Sequence, residues 1–269
     1  MNKKILEVKN LTKRFGEFTA VNSISFEIDK GEIFGVVGPN GAGKTTTIKI
    51  LTTLLPQTSG EAFIGGYSVV KHASKVRRII GYVPQLLSAD GNLTGYENLL
   101  IFAKLYDIPS SVRGKRIKES LHFMGLSEYA GKLVKSYSGG MIRRLEIAQA
   151  VLHNPLVLFL DEPTVGLDPV ARESVWEYVK ILSQSGTTVL MTTHYMEEAD
   201  AMCSRVAIMN RGNIAAIGSP KELKLSIGTD GASLNKVFEF YAGKTLESDE
   251  PGGNFRDVSR TRRVIKRLG

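Results

Sequence analysis

The stretch Gly38-Pro39-Asn40-Gly41-Ala42-Gly43-Lys44-Thr45-Thr46 contains the spacing G-x-x-x-x-G-K-[ST], a pattern suited to holding a polyphosphate. Glycines let the backbone turn tightly enough for successive N–H groups to point at one anion, and the positive end of a following helix adds to them. Lys44 then reaches the β and γ phosphates of a nucleotide, and the Thr45 hydroxyl ligates Mg²⁺. A second constellation, Asp161-Glu162, ends the apolar run Leu156–Leu160. Asp161 is expected to complete the magnesium site with Thr45, since a small octahedral ion takes oxygen ligands from side chains, phosphates and water. Glu162 is placed to polarise an attacking water, and His194, just past the next apolar run, to approach a γ-phosphate. A carboxylate pair at a strand end also serves as a structural cap, and a lone histidine is usually ordinary. The phosphate loop upstream favours chemistry in both cases.

These side chains need a frame. Ile33-Phe34-Gly35-Val36-Val37, ahead of the loop, reads as a buried strand, and Thr46–Leu51 as a helix. The run Leu156–Leu160 suits a central parallel strand buried on both faces. Thr187–Met191 repeats it, and a helix from Pro169 to Gln184 joins the two as a βαβ unit. Ligands bind at the carboxyl edge of such sheets. Alternation in Ile5–Lys9 and Ser23–Ile28 predicts half-exposed strands of an antiparallel edge layer, and Phe15 between them is an aromatic that could stack on adenine. Ser59-Gly60 and Gly65-Gly66 bracket a short strand, and Ile79–Pro84 forms another that leads into Gln85.

From about 88 to 153 the period becomes helical. Thr94-Gly95-Tyr96-Glu97 has the form of a capping box, and Ser138-Gly139-Gly140 opens a further helix that Pro155 stops. The expected fold is therefore α/β: a P-loop NTPase core with a mixed, mostly parallel sheet, an antiparallel β edge layer and an inserted helical subdomain. Val206–Met209 and Ile214–Ile217 around Asn210-Arg211-Gly212 predict a hairpin. Past Gly228 only short strand or helix fragments are expected, then a break at Pro251-Gly252-Gly253. The basic tail carries Arg256, Arg260, Arg262, Arg263, Lys266 and Arg267 against Asp257.

With 269 residues, 42% of them hydrophobic, the chain can bury a full core, which excludes disorder as the default. No apolar run approaches the ~18 residues of a membrane-spanning helix, and Lys3, Lys4, Glu7 and Lys9 break up any signal-peptide core. The protein is expected in the cytosol. Its single cysteine, Cys203, cannot pair internally, and reads as a small apolar residue on a helix. A net charge of +8 permits nucleic acid or an anionic membrane surface as partner without choosing between them.

Phe15, the loop Gly38 to Thr45, Gln85, Tyr137-Ser138-Gly139-Gly140-Met141, Leu158–Glu162, Gly166-Leu167-Asp168 and His194 occur in the order and spacing of an ATP-binding cassette ATPase, and the chain resembles that family over nearly all of Met1 to Lys224. The resemblance implies ATP as substrate with Mg²⁺ as cofactor. Phe15 would stack adenine, and Gln85 would sense Mg²⁺ and the lytic water. Glu162 would be the general base, His194 would contact the γ-phosphate, and Asp168 would lie in the D-loop. It also makes Ser138, Gly139 and Gly140 a signature that closes on a partner subunit's ATP, in a homodimer or a dimer with a paralogue. Tyr137 and Met141 depart from the commonest signature, which has leucine and glutamine there. The run Met141–Ala148 with Thr261-Arg262-Arg263 resembles daunorubicin-resistance-type efflux ATPases. This likeness implies an exporter's ATPase subunit at the cytoplasmic face of the membrane, coupled to a separate permease, without nucleic acid. Its cassette domain would span 1–224 and a C-terminal extension 225–269, shorter than that subgroup's usual extension. The rival is a soluble cassette ATPase of translation, DNA repair or cluster assembly. A single cassette and the lack of a long coiled-coil insertion speak against it, and Glu162 with His194 speaks against a scaffold without turnover.

Overall fold

The computed structural model describes residues 4–228 and 232–248. Strands β1 (Lys4–Phe15), β2 (Phe18–Asp29) and β3 (Ile33–Val37) precede helix α1 (Lys44–Leu51), and β4 (Ser59–Ile64), β5 (Tyr67–Ser68), α2 (Ala73–Ile79) and β6 (Ile80–Val83) come after it. Three α-helices come next: α3 (Gly95–Leu105), α4 (Ser110–Phe123) and α5 (Gly139–Val151). The chain then returns to β7 (Val157–Asp161), α6 (Pro169–Gln184), β8 (Thr188–Thr193), α7 (Met196–Met202), β9 (Arg205–Asn210) and β10 (Asn213–Gly218). Helices α8 (Pro220–Ser226) and α9 (Leu234–Ser248) close it.

Two sheets result. The antiparallel layer has the order β2-β1-β4-β5, and the second sheet the order β10-β9-β3-β8-β7-β6, parallel except for the β9–β10 hairpin. β3 is buried on both faces because its side chains alternate between two cores. Phe34 and Val36 pack toward the antiparallel layer, where Phe26 stacks on Phe34 at 5.3 Å, while Ile33 and Val37 join the core shared with the helices.

Local chemistry starts the helices where the residue pattern indicates. The Thr94 hydroxyl accepts from the Glu97 amide at 3.1 Å while the Glu97 carboxylate accepts from the Thr94 amide at 2.8 Å, completing the capping box of α3. Asp168 caps α6 through the Ala171 amide at 2.9 Å, with Pro169 in the first turn, where it has no helical hydrogen bond to lose.

Two expectations are corrected. The segment past Gly228 holds one 15-residue helix, α9, and not short fragments; Leu234 and Val237 bury it against the core shared with α7, α8 and the β9–β10 hairpin. Cys203 lies just past α7 in extended backbone, buried, with its thiol pushed upward by burial. Position 224 falls within α8, where Lys224 pairs with Asp200 at 2.6 Å. The basic tail from Arg256 onward lies outside the described residues.

Candidate active site

Parallel strands β3, β8, β7 and β6 are neighbours in that order, so the segments leaving their carboxyl ends share one edge. β3 delivers the glycine loop, β7 delivers Asp161 and Glu162, β8 delivers His194, and β6 delivers Gln85. The loop folds this way because Gly43 sits at φ 102°, where a side chain is strained, and a Cβ there would collide with the Ala20 carbonyl. That turn starts α1 at Lys44, with its free N–H groups facing the loop.

Glu162 is the centre. It is 4% exposed, and its carboxylate meets Lys44 Nζ at 3.2 Å, Gln85 Nε2 at 3.2 Å and His194 Nδ1 at 3.1 Å. A carboxylate so buried stays in the fold because each partner offers charge or a hydrogen bond. Its backbone has φ 49°, a left-handed conformation costing a non-glycine residue about 1 to 3 kcal/mol. Lys44 also donates to the carbonyls of Gly38 and Pro39, at 2.8 and 3.0 Å, which places the cation inside its own loop. Asp161, 1% exposed, accepts from Thr45 at 3.1 Å and from Thr192 at 2.6 Å. The nearby Tyr82 hydroxyl is pushed up to about 12 by burial and by the charge of Asp161. A cleft of about 340 Å³ opens over these groups, lined by Phe18, Ala20, Asn40 to Thr46, Gln85 and Glu162.

The structure thus brings together Lys44, Thr45, Gln85, Asp161, Glu162 and His194 around the glycine loop. Phe15, at the end of β1, is 49% exposed and does not line the cleft; its hairpin partner Phe18 does. Ser138 and Gly139 are exposed at the start of α5 and absent from the cleft wall, and Asp168 is engaged as a helix cap. Gly140 lets α5 approach α6, since a Cβ would stand 2.7 Å from that of Ala171. Sequence reasoning missed three residues. Thr192 faces Asp161 in the β7–β8 register and also accepts the Glu162 amide at 3.0 Å. Its place two residues before His194 at a strand end was the available signal. Tyr195 packs on the His194 ring at 4.1 Å, and Phe18 was legible only as the far side of a tight hairpin.

Comparison with known proteins bears on the family and the fold. Residues 21–165 match the family model described as ABC transporter. The chain is 42% identical over 226 residues to the Linearmycin resistance ATP-binding protein LnrL of Bacillus subtilis (strain 168), covering 84% of this chain and 73% of that one. It is 41% identical to the Daunorubicin/doxorubicin resistance ATP-binding protein DrrA of Streptomyces peucetius, covering 84% and 69%. A solved structure described as an ATP binding subunit of an ABC transporter superposes with a TM-score of 0.79 at 29% identity, over 88% of this chain and 99% of the other. A glycine loop facing an acidic strand end, in a chain so similar to these, places the protein in the ABC transporter family as an ATP-binding subunit of the drug-resistance and export type.

Proposed function

We propose that the chain hydrolyses ATP as a two-fold dimer and drives a separate membrane permease that exports its cargo. The observation that carries this reading is Glu162, buried, held at once by Lys44, Gln85 and His194, and lining the cleft of about 340 Å³ beside the glycine loop. In this mechanism the loop amides and Lys44 hold the β and γ phosphates, and the phosphate draws the Lys44 ammonium from Glu162. The released carboxylate then takes the proton of a water that Gln85 orients, while His194 contacts the γ-phosphate. Phe15 packs on adenine from the hairpin, with Phe18 on the cleft wall.

Thr45, Asp161 and Gln85 would hold Mg²⁺. Their donors are all oxygen, and the Thr45 hydroxyl already lies 3.1 Å from the Asp161 carboxylate, which suits a hard cation sharing its shell with phosphates and water. When bound, the metal neutralises charge on the phosphate oxygens.

Exposed Ser138 and Gly139 offer helix N–H groups away from their own cleft, which fits a signature that meets a partner's ATP. Among the described residues no helix is long and apolar enough to cross a membrane. In this reading the permease provides attachment at the cytoplasmic face. Leu86, Leu87, Ile101 and Leu105, exposed on the loop after β6 and on α3, are the proposed docking surface. In this reading the cassette occupies 1–224, with its helical subdomain at about 88–153, and residues 225–269 are an extension. The drug-resistance names of the relatives support the export direction.

The test is ATP turnover by the purified chain with Mg²⁺ and with EDTA, beside Glu162→Gln. The parent hydrolyses ATP only with Mg²⁺, and Glu162→Gln retains bound ATP while turning over at least about 100-fold more slowly. Parental turnover in the variant removes Glu162 from the role of base.

A further inference from the structure

Helix α5 carries a buried ion pair that the chemistry above does not use. Arg143 and Glu146 stand one turn apart, 1% and 3% exposed, with Arg143 Nη1 2.9 Å from Glu146 Oε2. Two charges withdrawn from water need partners for their remaining polar atoms, and all of them but Arg143 Nε find one. Most of those partners lie on one stretch, the loop after β6. Arg143 donates to the carbonyls of Pro84 and Gln85, each at 2.7 Å. Glu146 Oε1 accepts from the amide of Ser88, from its hydroxyl at 3.1 Å and from the Ala89 amide at 3.3 Å. The loop is therefore gripped at 84–85 and again at 88–89. Between the grips the chain turns outward, leaving Leu86 81% and Leu87 50% exposed.

We propose that the Arg143–Glu146 pair is a positioning device that joins α5 and the loop 84–89 into one rigid piece, so that movement of α5 or pressure on Leu86 and Leu87 reaches Glu162 through Gln85. The inference rests on the role given to Glu162 above. A planar guanidinium presents its donors in fixed directions spread across a fork, here to two carbonyls and a carboxylate, whereas the three donors of a lysine radiate from a single nitrogen and cannot span the same three positions. The Gln85 residue whose carbonyl is held by Arg143 sends its own amide to Glu162 at 3.2 Å. The same helix begins at the exposed Ser138–Gly139, so its amino end and the Gln85 loop move together.

The test uses the full chain with Arg143→Met/Glu146→Leu, which removes both charges and strands neither, and Arg143→Lys, which keeps the charge but loses the fork. Three quantities are read: kcat against KM for ATP, affinity for a fluorescent ATP analogue, and amide exchange across 84–89 and 38–45. Both variants lower kcat by about tenfold and leave affinity within about twofold, because the pair touches no residue of the glycine loop. Exchange rises about tenfold or more at 84–89 and stays unchanged at 38–45. Parental kcat with parental exchange overturns the proposal, as does a loss of kcat and affinity by the same factor with faster exchange in both segments. Where the double variant does not fold, the lysine variant gives the same readouts. A parent without Mg²⁺-dependent hydrolysis, or Glu162→Gln turning over like the parent, removes the functional reading instead; the exchange data still decide whether the pair holds the loop.

Discussion

Replacing Thr192 by valine removes one hydroxyl from the middle of the acidic edge. That hydroxyl donates to Asp161 at 2.6 Å and accepts from the Glu162 amide at 3.0 Å, at a site with no exposure. The amide keeps a second partner, the Thr192 carbonyl at 3.1 Å, so its loss is small. Asp161 keeps only Thr45 at 3.1 Å among its side-chain donors. A hydrogen bond to a charged acceptor contributes about 1.5 to 3 kcal/mol, and valine fills nearly the same volume, so the expected destabilisation is about 2 kcal/mol. Thr192→Ser keeps the hydroxyl and recovers most of it. Urea unfolding at neutral pH without nucleotide measures both, as a lower midpoint at unchanged slope. A valine variant within about 0.5 kcal/mol of the parent refutes the reasoning, because it means that Asp161 does not depend on this donor.

Single contacts set the other outcomes. Thr94→Ala breaks the capping box of α3 and lowers stability by about 1 kcal/mol, read by the same urea titration. Burial holds His153 below its ordinary value, against the opposing hydrogen bond to the Ile80 carbonyl and with Arg116 adding to the lowering. The unfolded chain therefore takes up that proton first as pH falls through about 6.5, and the native state loses stability from there until the folded value is passed. His153→Phe, which preserves the ring stack on Tyr106, loses less stability between about pH 7.5 and 5.5 than the parent; equal losses contradict the assignment. Charged substitution at Leu86 and Leu105, 81% and 71% exposed, releases the chain from its permease while basal ATP turnover persists, and unchanged co-purification rules out that docking surface.

Legibility tracked how local the physics was. The loop between β3 and α1, the bounds of α6 and the capping box of α3 were readable because backbone chemistry within a few residues decides them. β7 was readable as a parallel strand because burial on both faces leaves no polar position in the run Val157–Leu160, and β8 through its apolar centre Val189–Met191, although its buried threonines Thr192 and Thr193 hid its end. Contacts made across the sheet were not. Thr192 is recognisable only once β7 and β8 are in register, and Arg143 with Glu146 looks like an ordinary surface pair until α5 is packed on the Gln85 loop. Helix α9 escaped for the same reason, since packing on α7, α8 and the hairpin holds it more than its own pattern does. Cys203 was displaced by one residue at a helix end, where extended backbone takes over.

The central claim is that ATP is hydrolysed between two chains, and mixing two inactive variants tests it directly. One partner carries Glu162→Gln, which removes the base while Lys44 keeps its bonds to the Gly38 and Pro39 carbonyls and stays available to phosphate. The other carries Gly139→Asp, where a Cβ meets only the Leu167 side chain at 3.4 Å, so the helix start survives while a carboxylate confronts the γ-phosphate. In a mixed dimer one site collects both lesions, and the other joins an intact loop to an intact signature. The mixture is predicted to hydrolyse ATP although each variant alone does not. A mixture as inactive as its components, with mixed dimers present, would contradict the claim.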